Sequence, residues 1–276
     1  MSSPPPSPRV MGVLNVTPDS FSDGGRFVDF DAALAQARRL IADGADILDI
    51  GGESTRPGAA AVDQTQEIAR VIPLIHAVRA ESDIAISIDS MKPAVARAAV
   101  AAGATIWNDV TALRHAPDSL KTAAALGCDV VLMHMQGEPG TMQATPRYGD
   151  VVAEVADFLG ARAEAAMAAG ISHERIWLDP GVGFGKHMTD HNLPLLGGLD
   201  RIVALGFPVL LGASRKQFIS ALDGGHRPAE QRLGGSIAAA LAGAAAGVAA
   251  VRVHDVRETV QALSVWTAIA QAGRAG

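Results

Sequence analysis

Hydrophobic and polar positions along this chain alternate in a two-part pattern. A short β-branched run, fit for a strand buried on both faces, is followed by a longer Ala-rich stretch of helical periodicity. The pair recurs eight times, with the spacing of about 35 residues that eight units in a chain of this length require. The apolar runs predict strands over 10–14, 46–50, 85–88, 105–107, 130–133, 175–178, 208–211 and 249–253. The intervening stretches predict helices over 31–43, 66–80, 93–102, near 118–126, and over 151–169. Gly44, Gly103, Gly127, Gly170 and Gly206 stand where a helix returns towards a strand, the position of a helix C-cap. The most apolar stretch, 237–251, is broken by Gly243 and Gly247 and reads as a buried helix running into the last strand, too short for a bilayer span. Eight such units favour a closed (β/α)8 barrel, a TIM barrel, over an open doubly wound sheet. The expected organisation is a single domain over 10–272 behind a disordered Ser/Pro-rich tail, 1–9.

Residues 47–58, ILDIGGESTRPG, show how each unit ends. A buried run closes on the carboxylate of Asp49. Gly51 and Gly52 then open a polar loop that cannot continue a strand. The other strand ends repeat this change of character: Asn15, Asp89, Asn108, His134, Asp179, the group Ser214-Arg215-Lys216, and Arg252 with His254. In a barrel the carboxyl-end rim is where chemistry is done, so these side chains are expected to converge on one pocket.

Composition narrows the class. Of 276 residues, 49% are hydrophobic but only 4% aromatic, so Ala, Val, Leu and Ile fill the core. A formal net charge of −6 argues against non-specific nucleic-acid binding, and any anionic ligand has to meet local positive charge. The single cysteine, Cys128, excludes an intramolecular disulfide and fits a reducing compartment. With no targeting segment legible in 1–9, the expectation is a cytoplasmic protein without a membrane partner.

Asp89, Asn108, Asp179 and Lys216 combine two carboxylates, an amide and a cation, a set suited to a flat heterocycle with alternating donors and acceptors, guanine-like or pterin. Asp89 also fits a helix cap before Pro93, and Asp179 a turn residue. Arg252 and His254 share one face of the last strand. With Asn15 on the first strand they make an anion site with room for a metal-bound diphosphate. Ser214 to Lys216 follow Gly212 at the expected start of a helix, where backbone N–H groups favour a carboxylate or phosphate. The loops over 15–30 and 51–62 are long and rich in Gly, Ser and Asp, and read as lids. A zinc cluster, a Ser-His-Asp order and a dinucleotide fingerprint are all absent from the sequence.

These residues carry a resemblance. MGVLNVTPDSFSDGG at 11–25, GGESTRPG at 51–58, SID at 87–89, ND at 108–109, LDPG at 178–181, GFGK at 183–186, SRK at 214–216 and RVHD at 252–255 closely resemble, in the same order, the dihydropteroate synthase family. The resemblance implies condensation of (7,8-dihydropterin-6-yl)methyl diphosphate with 4-aminobenzoate. It also implies roles. Asp89, Asn108, Asp179 and Lys216 would hold the pterin; Asn15, Arg252 and His254 the diphosphate, with Mg²⁺ on Asn15. Phe21, Thr55, Arg56, Pro57, Phe184 and Ser214 would frame 4-aminobenzoate, and Asp23, Arg56 and Lys216 would act in catalysis. A homodimer is implied as well. Two rival readings are a pterin-binding methyltransferase barrel and a non-catalytic pterin-binding paralogue.

Overall fold

In the computed structural model, residues 7–16, 26–54, 61–137 and 142–272 are described, without the side chains of 26–29. The strands are β1 (Arg9–Asn15), β2 (Ile47–Gly51), β3 (Ala85–Asp89), β4 (Ile106–Asp109), β5 (Asp129–Met133), β6 (Ile176–Asp179), β7 (Leu210–Leu211) and β8 (Ala250–Val253). The helices are α1 (Arg26–Ala42), α2 (Gln64–Glu81), α3 (Pro93–Ala101), α4 (Ser119–Leu126), α5 (Val151–Ala168), α6 (Asn192–Gly197), α7 (Leu199–Val203), α8 (Gln217–Leu222), α9 (Leu233–Ala246) and α10 (Val256–Ala272). The strands form one parallel sheet in the order β6-β5-β4-β3-β2-β1-β8-β7. A bridge between Leu178 and Val209 joins its two edges, with Leu178 N–H donating to Pro208 C=O at 2.9 Å. The sheet is therefore a (β/α)8 barrel.

Strand pleating sorts the side chains. Met11, Ile47, Ile106, Val131, Trp177, Leu210 and Ala250 point to the axis and fill the amino-terminal half of the barrel. Their neighbours Leu14, Ile50, Ile88, Trp107 and Leu132 point outward beneath the helices, each at most 1% exposed. Full burial of a side chain of this size contributes roughly 1.5–3 kcal/mol. Cys128 belongs to this outer layer as a small buried hydrophobe. Helix starts are secured locally: Asp63 accepts from Thr65 N–H ahead of α2, and Asp150 from Val152 and Ala153 N–H ahead of α5. At the other end of α4 and α3, Gly127 (φ 63°) and Gly103 (φ 116°) take left-handed conformations as the helix stops.

The structure corrects several boundaries. Arg9, assigned to the tail, opens β1 and donates its N–H to Ala249 C=O. Helix α1 begins at Arg26 rather than 31. Strand β7 is two residues long instead of four, because Pro208 has no N–H for the ladder and serves only as an acceptor. Asp89, Asn108 and Asp179 lie within their strands rather than just past them. Between β6 and β7 the chain forms α6 and α7, a stretch whose helices the pattern reading did not delimit; Pro194 and the pair Gly197-Gly198 hide the periodicity.

Candidate active site

The carboxyl-terminal half of the barrel interior is polar. Alternation along β2, β3, β4 and β8 brings Asp49, Asp89, Asn108 and Arg252 to the axis. Arg252 donates through Nε to Asp49 Oδ2 at 2.6 Å and through Nη2 to Asp89 Oδ2 at 2.7 Å. Asn108 donates to both oxygens of Asp49, at 3.4 and 3.3 Å. Burying one charge alone costs several kcal/mol, so the guanidinium and the two carboxylates hold one another inside the barrel. Burial pushes the Asp89 carboxyl up to about 7; Arg252 opposes the shift and the charge of Asp49 adds to it. Burial alone would lower the Arg252 value, but Asp49 and Asp89 outweigh it and raise it. Asp89 Oδ1 is buried and has no hydrogen-bond partner among the described residues.

Above this network lies a cavity of about 650 Å³, lined by Asn15, Asp89, Phe184, Ser214, Lys216, Arg252 and His254 among others. Lys216 Nζ sits 4.1 Å from the centre of the Phe184 ring, a cation–π contact. Ser214 Oγ lies 3.1 Å from His254 Nδ1 and accepts the His254 N–H at 3.2 Å. Burial first, then Arg252 and Arg215, drive the His254 imidazole down to about 3, so the ring is neutral. Asn108 and Asp179 adjoin the cavity without lining it, Asn108 through its bonds to Asp49 and Asp179 beside Gly212, which does line it. Asp179 Oδ1 takes the Gly181 N–H at 2.7 Å, and burial raises its carboxyl despite that bond and Lys216.

Seven residues of the sequence-based set are thus brought to one cavity, and Asn108 and Asp179 adjoin it. Phe21, Asp23, Thr55, Arg56 and Pro57 lie outside the described residues. The chain on either side of them does reach the cavity, through Asn15 and through Glu53 and Ser54. Glu53 fixes the second loop at its stem, accepting Val62 N–H at 2.8 Å and Lys92 Nζ at 2.6 Å. Arg252, expected in an anion site with His254 and Asn15, is also engaged by two carboxylates, Asp49 and Asp89.

Asp49 was expected at the rim with the other strand-end residues but given no role; here it holds Arg252 and Asn108. One residue of the site was not singled out. Lys186, 1% exposed, directs Nζ to Gly181 C=O (2.9 Å), Phe184 C=O (3.1 Å) and His134 Nδ1 (2.9 Å), tying the loops after β5 and β6 together. Burial brings its ammonium down to about 7. The GFGK run flagged the position, but nothing local says that this lysine is inside.

A family model described as pterin binding enzyme matches residues 11–254. Dihydropteroate synthase of Haemophilus influenzae is 47% identical over 266 residues, 96% of this chain and 95% of that one. The chain belongs to the dihydropteroate synthase family. Solved structures agree. That of Xanthomonas albilineans dihydropteroate synthase with 4-aminobenzoic acid superposes with a TM-score of 0.89 at 53% identity, covering 96% of this chain and 93% of the other. The same enzyme in complex with 7,8-dihydropteroate gives 0.87 at 50% identity, covering 96% and 94%.

Proposed function

We propose that this chain joins (7,8-dihydropterin-6-yl)methyl diphosphate to 4-aminobenzoate, giving 7,8-dihydropteroate and diphosphate in folate synthesis. The observation that carries the reading is the unpartnered, buried Oδ1 of Asp89, on a residue that lines the cavity while its Oδ2 stays with Arg252. A carboxylate oxygen left without a donor in a buried site calls for a ligand N–H. The amino and ring N–H groups of a pterin supply such donors. Asn108, its amide nitrogen turned to Asp49, and Asp179, with one oxygen on Gly181, take further positions on the ring edge, and Lys216 supplies the cation.

The same arrangement favours departure of the tail before attack. Asp49, Asp89 and Arg252 together carry a net negative charge when ionised, which stabilises positive charge developing on the pterin and its methylene as the C–O bond breaks. The bonding pair leaves with diphosphate. The aromatic amine then forms the new C–N bond and gives up a proton. Arg252 Nη1, engaged by neither carboxylate, faces the tail's oxygens together with Asn15 and His254. Ser214 seats the benzoate carboxylate, and Phe184 flanks the ring. Helix α8 is six residues long, so it offers N–H groups more than a dipole. By the family resemblance, Phe21, Thr55, Arg56 and Pro57 would frame the benzoate, Asp23 and Arg56 would act in catalysis with Lys216, and the loops that carry them would exclude water that captures the cation.

Mg²⁺ belongs to this reading. Asn15 offers a hard oxygen at the cavity, and no group of three or more His, Cys, Asp or Glu among the described residues forms a metal cage. That donor set fits an ion held by one or two protein oxygens and chiefly by the diphosphate itself. Once bound, it would neutralise charge on the leaving group.

A homodimer in the cytoplasm completes the proposal. Val265 (55%) and Ile269 (67%), one turn apart on α10, are exposed apolar side chains that support self-association near the C-terminus. No helix among the described residues is long and apolar enough to cross a membrane. The deciding experiment measures diphosphate release from the pterin diphosphate, with and without 4-aminobenzoate and Mg²⁺. With all three present, dihydropteroate is expected to form in step with diphosphate, and diphosphate release without the amine to be slower. Diphosphate release at the same rate with the amine present but no C–N product would overturn the reading.

A further inference from the structure

Arg215 stands between Ser214 and Lys216, and all three line the cavity at the loop after β7. Its backbone is left-handed, with φ 58°, and among the described non-glycine residues only Ala112 and Leu113 share that region. Holding a residue with a long side chain there is strained, and such strain persists only where the surroundings over-determine it.

Three contacts converge to do so. Arg215 N–H donates to Ser236 Oγ on α9 at 2.9 Å. Its C=O accepts from Arg232 Nη1 at 2.8 Å. Its guanidinium clasps Asp255 in two-pronged fashion, Nε to Oδ2 at 3.0 Å and Nη2 to Oδ1 at 2.5 Å. Asp255 directly follows His254, whose ring and N–H meet Ser214. The loop after β7 and the end of β8 are therefore joined by two parallel rungs. Ser214 and His254 form one on the cavity wall; Arg215 and Asp255 form the other.

We propose that Arg215 is a positioning residue: clasped by Asp255, Ser236 and Arg232, it sets Ser214 and Lys216 at a fixed spacing from Arg252 and His254. The pterin and benzoate contacts of one loop then stay in register with the diphosphate contacts of the neighbouring strand. This rests on the roles proposed above for Ser214 and Lys216. The clasp is about a quarter exposed on its arginine side, 28%, so its loss is expected to leave the barrel folded.

The test compares Arg215→Gly, which keeps the left-handed backbone and removes the clasp, with Asp255→Asn, which keeps the arginine, and with their combination. Asp255→Glu serves as the conservative rescue and Lys216→Ala as the control on the pocket. Turnover, KM for 4-aminobenzoate, pterin affinity and melting temperature are measured for each. Both single changes should lower kcat/KM at least tenfold with melting temperature nearly unchanged. The double variant should be no worse than the poorer single one, and Asp255→Glu should recover most of the loss. Should Arg215→Gly not fold, Asp255→Asn alone is expected to show the same tenfold loss. If Lys216→Ala weakens pterin binding while Arg215→Gly and Asp255→Asn stay within threefold of the parent, the positioning role is wrong and the pocket stands. Multiplicative losses in the double variant would equally refute a shared clasp. Full pterin affinity in Lys216→Ala would remove the pocket reading, and this proposal with it.

Discussion

Replacing Asp49 with Asn tests the buried charge network most directly. Asp49 is 0% exposed, and the substitution keeps its shape while removing one negative charge next to Arg252. In the parent, burial lifts the Asp89 carboxyl to about 7, Arg252 opposes, and Asp49 adds to the lift. Two carboxylates on different nitrogens of one guanidinium lie roughly 5 Å apart, which at an effective dielectric near 20 is a repulsion of about 3 kcal/mol. That equals about two pKa units. In Asp49→Asn the Asp89 carboxyl should therefore ionise near pH 5, by the same conversion about two units lower. On the proposed reading, in which pterin N–H groups donate to ionised Asp89, protonation competes with binding. Affinity should fall about tenfold per pH unit below about 7 in the parent, and only below about 5 in the variant. Calorimetric titration with a pterin that does not itself ionise over this range reads both midpoints, independently of any change in absolute affinity. Midpoints that coincide would show that Asp49 and Asp89 do not share a field, and the account of the network would fail.

Three further outcomes follow from the geometry. Lys216→Ala should weaken pterin binding about 10- to 100-fold, the loss of one charge-assisted contact, with little change in melting temperature. Gly181→Ala should be severely destabilising or prevent folding, because φ is 66° and the added Cβ would stand 1.9 Å from His134 C=O; a melting temperature near the parent's would contradict the structure of this loop. His134 is buried, and burial with the adjacent Lys186 charge holds its imidazole down to about 3. A folded value below the unfolded one means stability is complete above about pH 6.5 and is lost as pH falls towards 3, by up to about 4 kcal/mol. Denaturant unfolding of the parent should show this slope and His134→Asn should flatten it; equal slopes would place the acid sensitivity elsewhere.

Much of the barrel is legible one residue at a time. Runs such as ILDI and VVLM, alternating with Ala-rich helical stretches, declare eight β/α units because both periodicities are local properties of the chain. The same local reading finds polar residues at the strand ends, since a buried strand that meets a carboxylate or an amide has reached a rim or a site. It stops short where partners are remote. Arg252 looks like an anion hook by itself, yet it is 203 positions from Asp49 and 163 from Asp89. Only the closed ring, in which β2, β3 and β8 turn alternate residues to one axis, puts the three together. Lys186 looks like a surface lysine. It is buried because the loops after β5 and β6 bring three carbonyls and an imidazole nitrogen to one point, where they replace water around its ammonium. The sequence by itself determined the units, the rim and the kind of chemistry. Which charges share a field was decided only by the tertiary structure, because electrostatic pairing depends on distance through space and not on distance along the chain.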